Sequence, residues 1–396
     1  MAFSLEKLFV DVFAPAGGDI VTVMVDLPHD KIPDTPEWEA RRRMAEEWRQ
    51  EMARFGGKYG VKVNPMVSYE ATGMSNSELP VTGFQEGRRV RLEDSGRDST
   101  IILSMPEFSA SAPLVGFTRI YGNLRVASLP GVTRAMQETG LSADYSKIAR
   151  TCTRLAQLFD RSEAIEVLFS TGDTCTFDKS DHKPAIKDDG ILHPGQGGEE
   201  FRFRNLPSGE VFIAPNENPD SKTQGTIPVS YGSEIAIFVV QNNQVIDVRG
   251  EGPMATKKRK EFREEKALRN IAEVAIGCND RAVVTGNILE DEKAGFHWAY
   301  GRSDHVGATV DPQAFSAPDK VFHQDSVYTR GNPIVCKRLD FIFTDGTRKT
   351  AIQEGVLESE TKLNRPAEGV FYFNWNSENN NRIEKQTAPC MIRLVK

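Results

Sequence analysis

The first part of the chain alternates short apolar runs with one long amphipathic segment. Residues 19–26 read DIVTVMVD, a β-branched run that predicts a buried strand. Apolar residues then recur at helical spacing over 38–55, with Pro36 in the first turn and Gly56-Gly57 as the expected stop. Residues 62–69 have strand character again. A strand, a crossover helix and a second strand predict a βαβ unit, and therefore a parallel sheet with helices on its faces.

This alternation continues to about residue 178. It includes the predicted strand Thr100–Ser104, the predicted helix Tyr145–Phe159 and the predicted strand Ala164–Ser170. Residues 179–200 are rich in Asp, Lys, His, Pro and Gly, which is typical of a linker. We therefore predict an N-terminal α/β domain over residues 1–190 and a second domain over residues 191–396.

The second half is richer in strand patterns, and one long helix is expected over Met254–Ala275. The expected strands are Val211–Ala214, Thr226–Val229, Ile235–Val240, Gln244–Arg249, Ala282–Thr285, Phe296–Tyr300 and Leu339–Phe343. The predicted fold class is α/β with two domains, a parallel-sheet N-terminal domain and a strand-rich α+β C-terminal domain.

Composition narrows the class of protein. The chain has 396 residues with 49 Lys and Arg against 56 Asp and Glu, a formal net charge of -7. This acidic balance argues against general nucleic-acid binding, which needs a basic surface. No apolar run approaches the roughly 18 residues of a membrane helix, and acids interrupt the N-terminus where a signal peptide would be apolar, so a cytoplasmic protein without membrane contact is expected.

The cysteines do not indicate a disulfide framework or a thiolate zinc site. The five of them are odd in number, widely spaced and never arranged as C-x-x-C. We expect free thiols in a reducing compartment.

Acids and histidines gather near the end of the second half. His323 and Asp325 form an H-x-D pair in a strand-like run, where side chains two residues apart share a face and can hold one ion or two adjacent ions. Glu292 and His297 lie just upstream, beside an apolar strand. Carboxylates in such a place need a compensating positive charge, which a divalent cation would supply.

Two further acids lie in apolar surroundings. Glu210 follows a Pro/Gly turn at the head of an apolar strand, and Glu273 lies within the run NIAEVAIG. A buried acid requires a partner. Either a salt bridge, with Arg269 or Arg281 for example, or a metal ion would satisfy it, and the local sequence does not decide between them.

Four segments carry a family resemblance. In chain order they are NLPSGEVFIAP, NIAEVAIG, LEDEKAGFHWAYG and FHQDSV. Their order and spacing resemble the thermophilic metallo-aminopeptidase family, the group that includes aminopeptidases T and S, over mainly residues 205–327. The resemblance implies a homodimeric metallohydrolase with a two-metal site, whose ligands are Glu210, Glu273, Glu292, His297, His323 and Asp325.

One position departs from that family. Seven residues after the histidine that matches His297, the family has a tyrosine that is thought to stabilise the tetrahedral intermediate, and this chain has Asp304. An ionised acid cannot donate to an oxyanion, so Tyr300, His305 or Tyr328 would have to substitute, or the reaction differs. The predicted catalytic residues are Glu273, Asp304 and Tyr300.

The same segments also resemble, more distantly, the 2,5-dihydroxypyridine dioxygenases. That family holds one ferrous iron with two histidines and an acid; its H-x-D matches His323 and Asp325, whereas its other histidine matches Glu273. Because Glu273 makes the set rich in carboxylates, we predict two divalent ions, Zn, Mn or Co, that activate water to cleave a peptide or small-molecule amide. The alternative prediction is a ring-cleaving dioxygenase with Fe(II).

Overall fold

The computed structural model describes residues 3–195 and 202–363. The α-helices of these ranges are α1 Leu5–Phe13, α2 Pro36–Tyr59, α3 Leu92–Arg97, α4 Ser111–Ile120, α5 Tyr145–Arg161, α6 Pro253–Glu264, α7 Ile288–Asp291 and α8 Glu360–Leu363. No helix in these ranges combines the length and the apolar character needed to cross a bilayer.

The strands fall into three sheets. In chain order they are β1 Ile20–Leu27, β2 Lys62–Val63, β3 Val67–Glu70, β4 Thr82–Gln85, β5 Arg88–Arg91, β6 Ile101–Ser104, β7 Arg125–Ser128, β8 Ser162–Phe169, β9 Thr174–Asp178, β10 Ile186–Asp188, β11 Phe203–Asn205, β12 Glu210–Ile213, β13 Gln224–Tyr231, β14 Glu234–Gln241, β15 Gln244–Arg249, β16 Ile271–Gly277, β17 Phe296–Gly301, β18 His323–Val327, β19 Cys336–Phe343, β20 Arg348–Gln353 and β21 Val356–Leu357.

The N-terminal sheet confirms the predicted βαβ unit. Its order is β11-β7-β6-β1-β3-β4-β5, with β2 also paired to β1, and β1 runs parallel to β2, β3 and β6. Helix α2 begins where the sequence predicts, because the Thr35 hydroxyl accepts a hydrogen bond from the Trp38 amide at 3.1 Å. It continues through Gly56-Gly57 and ends at Gly60, whose φ of 68° suits a glycine. Gly56 stays helical because it packs directly on the Val61 carbonyl.

The remaining strands form two antiparallel sheets. A five-stranded sheet has the order β10-β12-β16-β17-β18, and an eight-stranded C-terminal sheet has the order β15-β14-β13-β9-β8-β19-β20-β21. Together with the parallel sheet and the helices, they confirm the predicted mixed α/β class. Strand pairing crosses residue 190, since β8, β9 and β10 belong to the later sheets and β11 pairs in the N-terminal sheet, and the division into two domains stays a prediction.

Two predicted elements of the second half are wrong. The helix expected over Met254–Ala275 ends at Glu264, and Ile271–Gly277 is the central strand β16. Every residue of β16 is buried between neighbouring strands, and a short run that is apolar apart from Glu273 fits a strand or a helix equally well until its partners are known. Ala282–Thr285, expected as a strand, is a loop.

An aromatic core joins the five-stranded sheet to the C-terminal sheet. Phe296, Trp298 and Tyr300 project from one face of β17, and Trp298 and Tyr300 pack against Phe238 of β14 with ring centroids 6.0 and 5.9 Å apart. Tyr328 closes the layer by accepting a hydrogen bond from the Trp298 indole at 2.9 Å. This packing holds one face of β17 against the C-terminal sheet. The opposite face is open to polar residues.

The cysteines of the described ranges agree with the predicted free thiols. They are Cys152, Cys175, Cys278 and Cys336, whereas Cys390 lies outside those ranges.

Candidate metal centre

The predicted ligands gather on the face of the five-stranded sheet that lies opposite the aromatic core. The antiparallel register sets Glu273 of β16, Ala299 of β17 and Asp325 of β18 side by side in one row. His297 lies two residues from Ala299, and His323 lies two residues from Asp325, so both histidines share this face. Glu210 joins them from β12, where it pairs with Gly277.

Small residues provide the space between the ligands. Ala275 and Ala299 occupy the centre of the face, so the longer acids and imidazoles can converge above them. At Gly277 a Cβ atom would lie 2.3 Å from the Glu292 carbonyl oxygen and 2.4 Å from the Lys293 carbonyl carbon. The glycine therefore lets the turn Glu292–Ala294 press directly against the sheet.

His323 is oriented as metal-binding histidines commonly are. Its Nδ1 lies 2.7 Å from the Arg302 carbonyl oxygen, so Nδ1–H is the donor and Nε2, once deprotonated, can offer its lone pair to a metal ion. Nε2 points into the cluster, 3.3 Å from Glu273 Oε2 and 3.4 Å from Asp325 Oδ1. Ligand atoms bound to one ion at about 2.0–2.2 Å lie about 3–3.5 Å from one another, so these three donors fit a single ion.

His297 is arranged in the same way on the neighbouring strand. Its Nδ1 lies 3.2 Å from the Gly295 carbonyl oxygen, and its Nε2 lies 3.3 Å from Glu210 Oε2 and 3.7 Å from Glu273 Oε1. Glu210 Oε2 is buried without a hydrogen bond of good geometry. A buried carboxylate oxygen that faces an imidazole Nε2 fits a cation between them, a proton in the metal-free protein or a metal ion that displaces it.

Three overlapping groups of side chains could each hold an ion. Within each group, one donor atom per residue lies within 4.8 Å of the others; the groups are Glu210, Glu273 and His297, then Glu273, His323 and Asp325, and then Glu292, His297 and Asp325. The structure thus brings together all six ligands that the sequence predicts. The donor chemistry, imidazole with carboxylate, fits Fe(II), Mn(II) or Zn(II).

Lys293 and Asp188 belong to the cluster, and sequence reasoning missed both. Lys293 is fully buried, and its Nζ lies 2.5 Å from Glu210 Oε1, 2.5 Å from Glu292 Oε1 and 3.5 Å from Asp188 Oδ2. Asp188 falls in the segment that composition marks as a linker. The sequence held one signal for this role, namely that Lys293 directly follows Glu292 and lies next to an apolar strand.

Once both imidazoles are neutral, as metal binding requires, negative charge dominates the cluster. It combines the carboxylates of Asp188, Glu210, Glu273, Glu292 and Asp325 with the ammonium of Lys293 and, at the outer edge of Asp188, the guanidinium of Arg204 at 3.9 Å. Burial, together with the charges of Glu210 and Asp325, raises the pKa of Glu292 to about 8. A divalent cation would relieve this excess of negative charge.

Metal binding is expected to weaken as the pH falls. Burial opposes charge on the imidazoles of the metal-free protein, but the adjacent carboxylates outweigh it and raise the pKa of both His297 and His323 well above the usual value. An ion must displace a proton from each Nε2 that it contacts, so affinity rises with pH until the raised pKa values are passed. Calorimetric titration with Mn²⁺ in buffers of different ionisation enthalpy measures the proton release. A metal affinity that stays constant between about pH 6 and pH 8 would contradict the predicted dependence on pH.

Tyr300 does not join the ligands, although the sequence interpretation placed it in catalysis. It alternates with Ala299 along β17 and therefore points into the aromatic core, where its hydroxyl accepts a hydrogen bond from Lys258 at 2.9 Å. Asp304 lies in the loop after β17, paired with Arg302, and the ion pair lowers the pKa of its carboxyl against the effect of burial. Neither side chain belongs to the three donor groups of the described ranges.

Other side chains near the cluster have simpler roles. Glu290 accepts a hydrogen bond from the Gly140 amide at 2.8 Å, and Asp291 accepts hydrogen bonds from the Thr285 and Gly286 amides at 2.7 and 3.0 Å, so both acids hold loops in place. His305, one of the residues that the sequence analysis offered in place of the family tyrosine, packs edge-on against His323 with ring centroids 4.6 Å apart.

Comparison with known proteins gives a likeness of fold. No protein-family model matches the chain, and no curated protein matches it either. A solved structure of 2,5-dihydroxypyridine dioxygenase from Pseudomonas putida KT2440 superposes with a TM-score of 0.60 at 15% sequence identity, over 91% of this chain and 98% of that chain. At this identity the comparison shows that the two chains share a fold.

The predicted metallohydrolase of the aminopeptidase type is contradicted by this comparison. The solved protein that shares the fold over nearly its whole length is a dioxygenase, an oxidoreductase, and the resemblance to metallo-aminopeptidases finds no support. The sequence interpretation gave decisive weight to Glu273, because it replaces a histidine of the dioxygenase family. In the fold, a second imidazole reaches Glu273 from β17 instead, since His297 Nε2 is 3.7 Å from Glu273 Oε1.

Proposed function

We propose that the chain is an iron-dependent dioxygenase that opens the ring of a hydroxylated aromatic or heteroaromatic compound. The observation that carries this proposal is the convergence of Glu273, His323 and Asp325, with His323 Nε2 3.3 and 3.4 Å from the two carboxylates. The protein that shares the fold is named for a dihydroxylated pyridine, and this supports the choice of reaction class.

The donor set suits ferrous iron. Glu273, His323 and Asp325 would hold the ion through one imidazole and two carboxylates, and His297, which contacts the same Glu273 from the adjacent strand, belongs to the other two donor groups. When bound, iron supplies the one-electron chemistry with dioxygen that side chains lack. The Arg302 carbonyl keeps His323 in the tautomer whose Nε2 can bind metal.

His305 is placed to handle a proton of the substrate. In the metal-free protein, burial and, second, the positive charge of His323 lower the pKa of His305 to about 4, and a divalent ion bound to His323 would act in the same direction, so the His305 imidazole is neutral near pH 7. Its side chain keeps 39% exposure and lies against His323, between the cluster and solvent. A neutral imidazole in this position can accept the proton of a ring hydroxyl as the hydroxyl oxygen approaches the metal centre.

An apolar cavity next to His305 has the size of a single ring. Its volume is about 140 Å³, and it is lined by Lys183, Pro184, Ile186, Ala214, Val306 and Gly307. Ile186 pairs with Phe212 and so lies on the ligand-bearing face of the sheet, while Val306 directly follows His305. A cavity of about 150 Å³ is enough to hold benzene, so the volume of this cavity matches a one-ring compound.

Oxygen uptake by the iron-loaded protein tests the proposal. Protein purified without oxygen and loaded with Fe(II) is expected to consume oxygen in step with the loss of ring absorbance when supplied with 2,5-dihydroxypyridine or related hydroxylated rings. Asp325→Asn should lose both iron and oxygen uptake, because it removes one donor of the proposed ligand set.

Glu265→Gln is the matched control, because Glu265 is a buried acid that bonds to Ser316 and lies outside the three donor groups. It is expected to keep its iron and its activity. Iron-loaded wild-type protein that consumes no oxygen with any mono- or dihydroxylated benzene or pyridine ring would refute the dioxygenase proposal.

A further inference from the structure

We infer that Lys293 is a built-in cation that occupies the place of a second metal ion and so limits the centre to one. The inference rests on the proposed function only in requiring that the cluster bind a metal ion. It does not depend on the reaction or on the substrate.

The contacts of Lys293 define the position. Nζ is surrounded by oxygens of Glu210 and Glu292 at 2.5 Å and of Asp188 at 3.5 Å, and the side chain has no solvent exposure. Three carboxylates around one buried point are also a typical ligand set for a divalent cation. The ammonium therefore supplies positive charge to two acids, Glu210 and Glu292, that an ion in their donor groups would otherwise neutralise.

Lys293 contacts members of two of the three donor groups. Glu210 belongs to one group and Glu292 to another, and the ammonium holds an oxygen of each. The group of Glu273, His323 and Asp325 contains neither acid, and within the described ranges Lys293 forms its ion pairs with Asp188, Glu210 and Glu292. Lys293 therefore competes with metal ions for the acids of two donor groups. The third donor group can still bind one ion.

Backbone hydrogen bonds hold the turn that carries Lys293 against the sheet. The Asn279 amide donates to the Lys293 carbonyl oxygen at 3.0 Å, and the Gly277 amide donates to the Gly295 carbonyl oxygen at 2.8 Å. The missing Cβ of Gly277 lets the lysine turn lie flat on the sheet. Burial opposes the charge on the ammonium, but the surrounding carboxylates more than offset it and raise the pKa of Lys293 well above its usual value.

Counting bound metal tests this inference. Metal-free protein is titrated with Mn²⁺, bound ion per chain is measured by elemental analysis, and electron paramagnetic resonance distinguishes an isolated Mn²⁺ from an exchange-coupled pair. We expect one isolated ion in the wild type and in Lys293→Arg, which keeps the charge. We expect two coupled ions in Lys293→Met and in Lys293→Gln, which remove the charge.

Lys258→Met is the matched control. Lys258 is also a buried lysine, bonded to Glu261 at 2.8 Å and to the Tyr300 hydroxyl at 2.9 Å on the other face of β17, and this variant should bind one ion. Two ions in the wild type would overturn the inference even if both neutral variants failed to fold. One ion in a folded Lys293→Met or Lys293→Gln would also overturn it.

The two proposals fail separately. A wild type that binds one Mn²⁺ but shows no oxygen uptake when loaded with Fe(II) removes the dioxygenase and supports the role of Lys293. A wild type that binds no ion overturns both.

Discussion

Replacing Glu273 by glutamine is expected to weaken divalent-metal binding by at least about a hundredfold, because losing a group that merely orients a ligand already costs about 10- to 100-fold. Glu273 contacts both imidazoles, His323 at 3.3 Å and His297 at 3.7 Å, and belongs to two of the three donor groups. Titration of metal-free protein with Fe(II) or Mn(II) measures the loss of affinity.

The same change should leave the fold intact. Glutamine has nearly the shape of glutamate, and the other residues of β16 are apolar and buried. We therefore expect cooperative unfolding of Glu273→Gln, and Glu265→Gln serves again as the control with unchanged affinity. Metal affinity within about threefold of the wild type, a difference of less than 1 kcal/mol, would remove Glu273 from the ligand set.

Replacing Trp298 by alanine is expected to give the largest loss of stability, about 3–5 kcal/mol. Trp298 is fully buried, packs on Phe238, and donates its indole N–H to Tyr328 at 2.9 Å. Alanine would leave a cavity between the five-stranded sheet and the C-terminal sheet, and a Tyr328 hydroxyl without that donor. Urea unfolding followed by circular dichroism measures the change.

Trp298→Phe isolates the hydrogen bond from the packing. It keeps most of the ring volume and loses the indole N–H, so a loss nearer about 1 kcal/mol is expected. Because Trp298 lies between His297 and Ala299 on β17, the alanine variant should also bind metal more weakly than the phenylalanine variant. Equal stability of the two variants would show that packing behind β17 contributes little to the centre.

Local sequence patterns predicted an element correctly where the residues that form and cap it lie within the element itself. Strand β1 and the start of α2 follow from a β-branched run, a capping threonine and a proline in the first turn. They failed for β16, where Glu273 lies in an apolar run that only its pairing with β12 and β17 makes a strand. They also failed for Asp188, because a polar composition marks a linker as readily as it marks a short edge strand.

The alternation of side chains along a strand is enough to correct the prediction that Tyr300 is catalytic. Tyr300 is three residues from His297, so the two side chains must point to opposite faces of β17. A catalytic tyrosine at that position was therefore inconsistent with the strand that the same sequence predicts. The structure confirms that Tyr300 packs with Phe238 and Phe262 in the core.

The amino-acid sequence was enough to identify the six metal-ligand candidates and the mixed α/β class, because residue chemistry and strand period are local properties. The function depended on contacts between residues far apart in the chain. Lys293 meets Glu210 across 83 positions, and His297 reaches Glu273 only through strand pairing. Charge compensation in a buried cluster depends on which groups lie within a few ångströms, and only the tertiary structure shows that a lysine pairs with acids that are candidate metal ligands.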